Sequence, residues 1–281
     1  MARILCVGIA TLDLIFRVAH YPREDEEMRA SSLRISRGGN AANTAVVLAG
    51  LGHRVSFAGV LAESGESALI IDDLERHGVD WSYCVRRPGR PPTSSILLAP
   101  SGSRTIVHFR DLPEFSARDF AAIDPGGFDW VHFEGRNCSE LPAMLARVKQ
   151  HGIRFSLEAE KPRPGLEPLL AKPDVLLTGR ALAHAFGHEQ PETFLTALRA
   201  RAPGLLIFLG WGEAGAWALE GSRLHHTPAF SPPVVVDTLG AGDTFNAGVI
   251  HGLLTGMDVA TTLRDAARLA GRKCGQDGFR F

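Results

Sequence analysis

One segment concentrates residues able to do chemistry: Val234-Val235-Val236-Asp237-Thr238-Leu239-Gly240-Ala241-Gly242-Asp243-Thr244-Phe245. The β-branched run predicts a strand over 234–236, the small residues a turn, and a helix beginning at Gly242 or Asp243. The first turn of a helix has backbone N–H groups without partners and the positive end of the dipole, which together suit an anion such as phosphate. The glycines let the backbone come close to it. A carboxylate beside such a hole can take a proton from an attacking hydroxyl, and phosphoryl transfer needs that pairing. Asp243 is read either as this base or as an ordinary N-cap; spacing does not separate the two.

Three further clusters could complete such a site. Arg37-Gly38-Gly39-Asn40-Ala41-Ala42-Asn43 opens another helix, with two amides three residues apart on one side of its first turn. Each amide both donates and accepts, as sugar hydroxyls require, although a Gly-rich turn with an Asn cap reads the same way. Asp13 interrupts an apolar strand just after Gly8, which predicts a carboxylate at the carboxyl end of a parallel sheet, where open α/β sheets bind ligands; the alternative is a turn aspartate. In Glu158-Ala159-Glu160-Lys161-Pro162-Arg163, the two carboxylates could touch water on a magnesium ion and the two cations a phosphate, or the run is a solvated charged face.

Such groups must be positioned by regular elements. Apolar runs at Ile4–Ile9, Val55–Val60, Trp130–Phe133, Arg154–Leu157, Asp174–Leu177 and Leu205–Leu209 read as buried strands. Between them, Asn40–Leu51, Ala68–His77, Glu140–His151 and Thr193–Arg201 have helical period, which predicts parallel βαβ units. From Gly242 onward two helices follow, broken near Gly256-Met257-Asp258, with Asp258 as N-cap of the second. Two regions depart from this rhythm. Leu12–Val18 and Arg29–Ile35 are strand-like with no helix between them, and residues 93–109 read as a hairpin turning at Pro100-Ser101-Gly102-Ser103. Together they predict a small accessory sheet. His225-His226 is placed in a surface turn after Gly221.

The 281 residues are 45% hydrophobic and 22% charged, ordinary values that exclude a disordered or fibrous chain. Thirty Lys and Arg against 31 Asp and Glu leave no excess basic charge for a general nucleic-acid coat. Cys6, Cys84, Cys138 and Cys274 are too scattered for a disulfide framework or zinc spacing and are expected to be free thiols in a reducing compartment. No apolar run approaches membrane length, and Asp13 interrupts the N-terminal one, so a cytoplasmic protein is expected. There is no P-loop, no GxGxxG after the first strand and no HExxH.

Taken together, Gly38-Gly39-Asn40 and Asp237-Thr238-Leu239-Gly240-Ala241-Gly242-Asp243 resemble the two signatures of the ribokinase-like (PfkB) carbohydrate kinases. The resemblance extends, in order along nearly the whole chain, through Ile4–Gly8, Arg104–Val107, Glu134–Asn137, Glu160–Arg163 and Lys273–Gly275, and is strongest to the ketohexose-phosphorylating branch. It implies an α/β, Rossmann-like three-layer fold over residues 1–281 as one kinase domain, with β-lid segments inserted at 11–37 and 93–110. It implies γ-phosphate transfer from ATP, with Mg2+ and, as in many relatives, K+, to the 1-hydroxyl of a ketohexose, and a homodimer joined through the lid. It assigns the base to Asp243, the anion hole to Gly240, Ala241 and Gly242, and a charge over the transferring phosphate to Arg104. Sugar contacts fall on Asp13, Gly39, Asn40 and Asn43, with Asp25 reaching the partner subunit's sugar. Trp211, Glu213, Gly215, Phe230 and Cys274 match the nucleotide wall.

Two departures bear on substrate and metal. The family's Asn-x-x-Glu motif near magnesium is replaced by Thr178-Gly179-Arg180-Ala181, leaving Glu158 and Glu160 as the metal candidates; the ketohexose branch departs there too. Ser103 stands where that branch carries Asn, which could alter reach to the sugar. The expectation is therefore a ketohexose kinase. A kinase of the same family for another ketose, ribose, a sugar acid or a nucleoside comes second, and a silent sugar- or nucleotide-binding regulator third. Nucleic acid and membranes are not expected partners.

Overall fold

The chain begins with β1 (Arg3–Val7), β2 (Thr11–Arg17), β3 (Ser32–Gly38), α1 (Asn40–Gly50), β4 (Arg54–Ala58) and β5 (Val60–Ala62). Then come α2 (Ser67–Arg76), β6 (Val79–Asp80), β7 (Val85–Arg87), β8 (Thr93–Leu98), β9 (Arg104–Phe109) and α3 (Ala117–Phe120). The second half holds β10 (Trp130–Glu134), α4 (Leu141–Gln150), β11 (Arg154–Ala159), β12 (Val175–Gly179), α5 (Arg180–Ala185) and α6 (Pro191–Arg201). It closes with β13 (Leu206–Gly210), β14 (Ala216–Glu220), β15 (Arg223–Thr227), α7 (Ala241–Leu254) and α8 (Val259–Cys274). The computed structural model describes residues 1–100 and 102–279; Ser101 of the expected hairpin turn lies outside them.

Nine strands form one sheet in the order β15-β14-β13-β12-β11-β10-β1-β4-β6, parallel from β13 through β6, with β14 and β15 antiparallel at the edge. Its central strands are apolar on both faces because both are covered. Leu5, Val7, Val131, Phe133, Leu176, Ile207 and Leu209 face the core formed with α4 and α6 (Leu145, Val148, Phe194, Leu198). Ile4, Cys6, Trp130, Val175, Leu177 and Phe208 face the core formed with α1, α7 and α8 (Val46, Leu48, Val249, Leu263). The alternation is the period of two that a pleated strand imposes. The arrangement is the three-layer α/β fold expected. Among the described residues no helix is long and apolar enough to cross a membrane, and the four cysteines are free.

The two irregular regions meet in a second sheet, ordered β3-β2-β8-β9, in which β2 and β8 pair in parallel from Leu12↔Thr93 and β8 and β9 form the expected hairpin. Its small core of Ile15, Ile96 and Leu98 takes in Leu239, so this sheet rests on the 237–243 segment. Asp258 caps α8 as expected, accepting from Thr261 N at 2.8 Å.

Three local expectations are corrected. Residues 234–236 are not a strand: Val234 and Val235 are exposed, and Val236 N donates to Cys274 O at 2.8 Å, so the end of α8 holds this stretch where a neighbouring strand would. His225 and His226 belong to edge strand β15, with the His226 ring packed on Trp217 at 4.3 Å between centroids. The run from Val55 to Val60 is broken at Gly59, and its two parts enter different sheets, β4 in the large one and β5 paired with β7.

Candidate active site

Helix α7 starts at Ala241, and its N-cap is Gly240, which is left-handed at φ 77° and makes no side-chain cap. Asp243 is thus the third helical residue and not the cap. It is buried, and its Oδ2 accepts from Asn43 Nδ2 at 2.6 Å. Arg37, also buried, holds Asn43 from behind through Nη1 to Oδ1 at 2.6 Å, and Asp73 receives the Arg37 Nε at 2.6 Å. Burial pushes the Asp243 carboxyl up to about 8; the Asn43 hydrogen bond opposes this, and the Glu160 and Glu134 charges add to it. A carboxyl poised near neutrality can both take and return a proton.

The two glycines of the loop are small for different reasons. A methyl on Gly240 would overlap the Phe279 ring, and its positive φ already disfavours a side chain. A methyl on Gly242 would meet nothing within 4 Å, so no protein atom demands glycine there. The loop itself is braced at Asp237, whose Oδ1 accepts from Leu239 N at 2.9 Å and whose Oδ2 accepts from Arg34 Nη2 of β3 at 2.8 Å. Arg104 of β9 reaches the same loop, donating from Nη1 to Thr238 Oγ1 at 3.0 Å.

An acidic group lies beside this loop. Glu158, at the carboxyl end of β11, accepts through Oε1 from Asn246 of α7 at 3.0 Å and from Asn40 of α1 at 3.1 Å; Asn40 also donates to Glu160 Oε2 at 3.1 Å. Glu158 Oε2 is buried with no hydrogen-bond partner. Burial and the charges of Asp243, Glu134 and Glu160 hold the Glu158 carboxyl well above the carboxylate range. Among the described residues no three His, Cys, Asp or Glu side chains converge into a closed metal cage. One orphaned carboxylate oxygen with a second carboxylate nearby instead fits Mg2+, which retains water and is usually held by one or two carboxylates plus substrate phosphates.

The two first-turn asparagines of α1 share no partner, where spacing predicted one common side. Asn43 turns to Asp243 and Arg37, and Asn40 to the two glutamates. Asp13 also differs from expectation. It sits inside β2 of the second sheet, opposite Ser36 and Ser94, not at the end of a main-sheet strand. Its Oδ1 accepts from Thr11 Oγ1 at 2.7 Å, and burial raises its pKa. Gly39, at φ 98°, precedes α1 and packs on the backbone after β1. Asp25 lies apart from these groups on the exposed β2–β3 connection, with φ 61°.

At the carboxyl end of β13, Trp211, Glu213 and Gly215 form the β13–β14 turn, closed by Trp211 N to Gly215 O at 2.8 Å. Gly215 has φ 101° and packs against the Thr227 carbonyl; Glu213 is exposed. Phe230 follows β15 and packs on Gly271 of α8. Cys274 ends α8, and its carbonyl accepts from both Val236 N and Asp237 N. One buried acid in the centre, Glu134, belongs to a stretch that carries the resemblance but has no expected site role. Glu134 ends β10 and accepts through Oε2 from Ile9 N at 3.0 Å and Ala41 N at 3.4 Å, while Arg136 donates to its Oε1 at 3.2 Å. Its signal was a carboxylate at the carboxyl end of a central parallel strand.

The pfkB family carbohydrate kinase model matches residues 1–281. Ketohexokinase of Mus musculus is 41% identical over 290 aligned positions, covering 99% of this chain and 97% of that protein. Ribokinase of Bacillus subtilis is 26% identical, covering 96% and 92%. Among solved structures, Arabidopsis thaliana ribokinase complexed with ribose and ATP superposes with a TM-score of 0.81 at 23% identity, covering 98% of this chain and 93% of that one, a likeness of fold.

Proposed function

The chain belongs to the pfkB family of carbohydrate kinases, and from that premise we propose that it transfers the γ-phosphate of ATP to the 1-hydroxyl of a ketohexose, D-fructose first. The observation that carries the reading is the buried Asp243 in the first turn of α7, beside a Gly242 with open space where a side chain would be. The first-turn N–H groups of α7 hold the charge on the transferring phosphoryl group, and Gly240, Ala241 and Gly242 form this anion hole. Asp243 takes the proton of the attacking hydroxyl, and Asn43, itself held by Arg37, keeps the carboxyl aimed.

Arg104 brings a positive charge from β9 to the same loop and faces the phosphate as it moves. Asp13, Gly39 and Asn40 line the sugar side, with Asn43 behind them. Trp211, Glu213, Gly215, Phe230 and Cys274 line the nucleotide side. Glu158 and Glu160 would hold Mg2+, which neutralises phosphate charge when bound.

The four-stranded sheet serves as the lid of a single kinase domain spanning the chain. Its strand β9 exposes Ile106, Val107 and Phe109, an edge that needs cover, and a second copy of the lid supplies it in a homodimer. Asp25, on the exposed lid connection, would then reach the partner subunit's sugar.

A second reading, another ketose, rests on Ser103. Its Oγ accepts from Tyr21 Oη at 2.8 Å, so a shorter side chain at this position is engaged by another part of the lid. The test is ADP release from ATP and Mg2+, with potassium held constant, across D-fructose, D-tagatose, L-sorbose, D-ribose, adenosine and 2-keto-3-deoxygluconate. Fructose-dependent turnover that is lost in Asp243→Asn supports the proposal. Turnover with another substrate alone moves the substrate assignment to the lid, and silence across the panel with ligand-induced stabilisation supports a binding protein.

A further inference from the structure

Lys273 is fully buried, with 0% of its surface exposed, an uncommon place for an ammonium group. It lies in the last turn of α8, where a basic residue favours the helix dipole, but a solvated lysine would serve the dipole equally well. Its Nζ instead turns inward, donates to the Asp237 carbonyl at 2.8 Å and lies 3.3 Å from Asp237 Oδ2. The Phe279 ring lies 5.6 Å away, and the same ring covers Gly240. Asp237 thus faces two cations, Lys273 and Arg34, and the cluster holds one net positive charge beside the phosphate-binding loop. The end of α8 grips residue 237 twice, because the Cys274 carbonyl also accepts from Val236 N and Asp237 N.

We propose that Lys273 is a positioning residue for phosphoryl transfer: its ammonium pins the main-chain oxygen and carboxylate of Asp237 and so fixes the 238–242 loop at the transferring phosphate. Anion stabilisation depends on donors held in place before the charge develops, so a loosened loop loses rate before it loses sugar binding. The Asp237 carboxylate that Lys273 meets is also the acceptor for the Leu239 amide, which gives the ammonium a direct route to the loop. The proposal rests on the kinase reading above.

Lys273→Met and Lys273→Ala, each confirmed folded by circular dichroism, test it. The expected result is a fall in kcat of about ten-fold or more in both, with KM for the sugar shifted by less than about three-fold. Propylammonium, which replaces the atoms removed by alanine, is expected to restore Lys273→Ala but not Lys273→Met. Hydrogen exchange at the Leu239 amide should quicken in both variants and slow again in Lys273→Ala with propylammonium. A kcat within about two-fold of wild type, unchanged exchange at Leu239, or a loss in Lys273→Ala that propylammonium does not recover would each overturn the proposal. If the single variants do not fold, Lys273→Met/Asp237→Asn removes the stranded carboxylate along with the ammonium. Exchange at Leu239 no faster in that double variant than in Asp237→Asn alone overturns the proposal, and faster exchange supports it. Exchange is read without turnover, so a wrong sugar assignment would show in the substrate panel and leave this result intact.

Discussion

Asn43 and Asp243 are 200 residues apart in sequence, and their side chains meet at 2.6 Å between the first turns of α1 and α7. The contact joins the two signature segments into one unit, with Arg37 as its back support. Asp243→Asn removes the proposed base and should lower kcat by about 100-fold to 10,000-fold with the sugar KM little changed. Asn43→Ala should lower kcat less. It should also move the acidic limb of the kcat–pH profile to higher pH, because the amide's hydrogen bond holds the Asp243 pKa down against burial. A limb that stays in place would show that Asn43 does not tune the base.

Glu158 offers a stability test. Its pKa is raised in the fold, so the protonated form is favoured, and stability from this group is present at low pH and lost as pH rises past the unfolded value. At neutral pH Glu158→Gln should therefore raise the melting temperature, by about 2–4 °C for each kcal/mol of repulsion removed. The same change should weaken the apparent affinity for Mg2+ in the kinase assay. Thermal melts at pH 7.5 and a magnesium titration check the two halves separately.

The two loop glycines should respond in opposite ways to a methyl group. Gly240→Ala meets both a left-handed backbone and the Phe279 ring, and should destabilise the protein by at least about 1–2 kcal/mol. Gly242→Ala lies inside α7 with free space around it and should hold or raise stability by up to about 1 kcal/mol. Its expected loss is in catalysis, through crowding of the phosphate. Denaturant unfolding and steady-state kinetics on both variants decide the point; a fully active, stable Gly242→Ala would remove Gly242 from the anion hole.

Histidines set an acid limit. His53 Nε2 and His251 Nδ1 lie 3.0 Å apart, so at most one proton sits between them, and burial lowers both pKa values. His132 is buried with its pKa lowered to about 3. For each, the unfolded chain binds the proton more readily, so stability falls as pH drops below about 6.5. The raised Asp243 and Glu158 act in the opposite direction, so wild type against His251→Asn is the informative comparison. The variant should lose less melting temperature between pH 7 and pH 5, and equal slopes would exclude the pair as a source.

Much of this architecture was legible in the chain itself. Buried parallel strands announce themselves as apolar runs, because both faces need burial, and helices between them keep a 3.6-residue period. Asp258 was legible as a cap because its partner, Thr261, lies within three residues. Glycine spacing in 240–243 marked a turn into a helix for the same local reason. The 234–236 stretch was misread because its partner is the end of α8, some 40 positions onward, and β-branched residues look the same whether paired with a strand or held by a helix terminus.

Local pattern alone carries the layers, the order of helices and strands, and the Asp243 segment, all of which depend on neighbours within a turn or a strand, although α7 starts at Ala241, ahead of the Gly242 or Asp243 that spacing predicts. Tertiary structure alone decided which side chains face one another. It turned Asn43 to Asp243, set Asn40 and Asn246 on Glu158, brought Glu134 beneath the starts of α1 and the β1–β2 link, and buried Lys273 against Asp237. These pairings join residues tens to hundreds of positions apart. Their energies come from burial, which raises the cost of every unpaired polar atom and so fixes a partner for it, and burial exists only once the layers have closed.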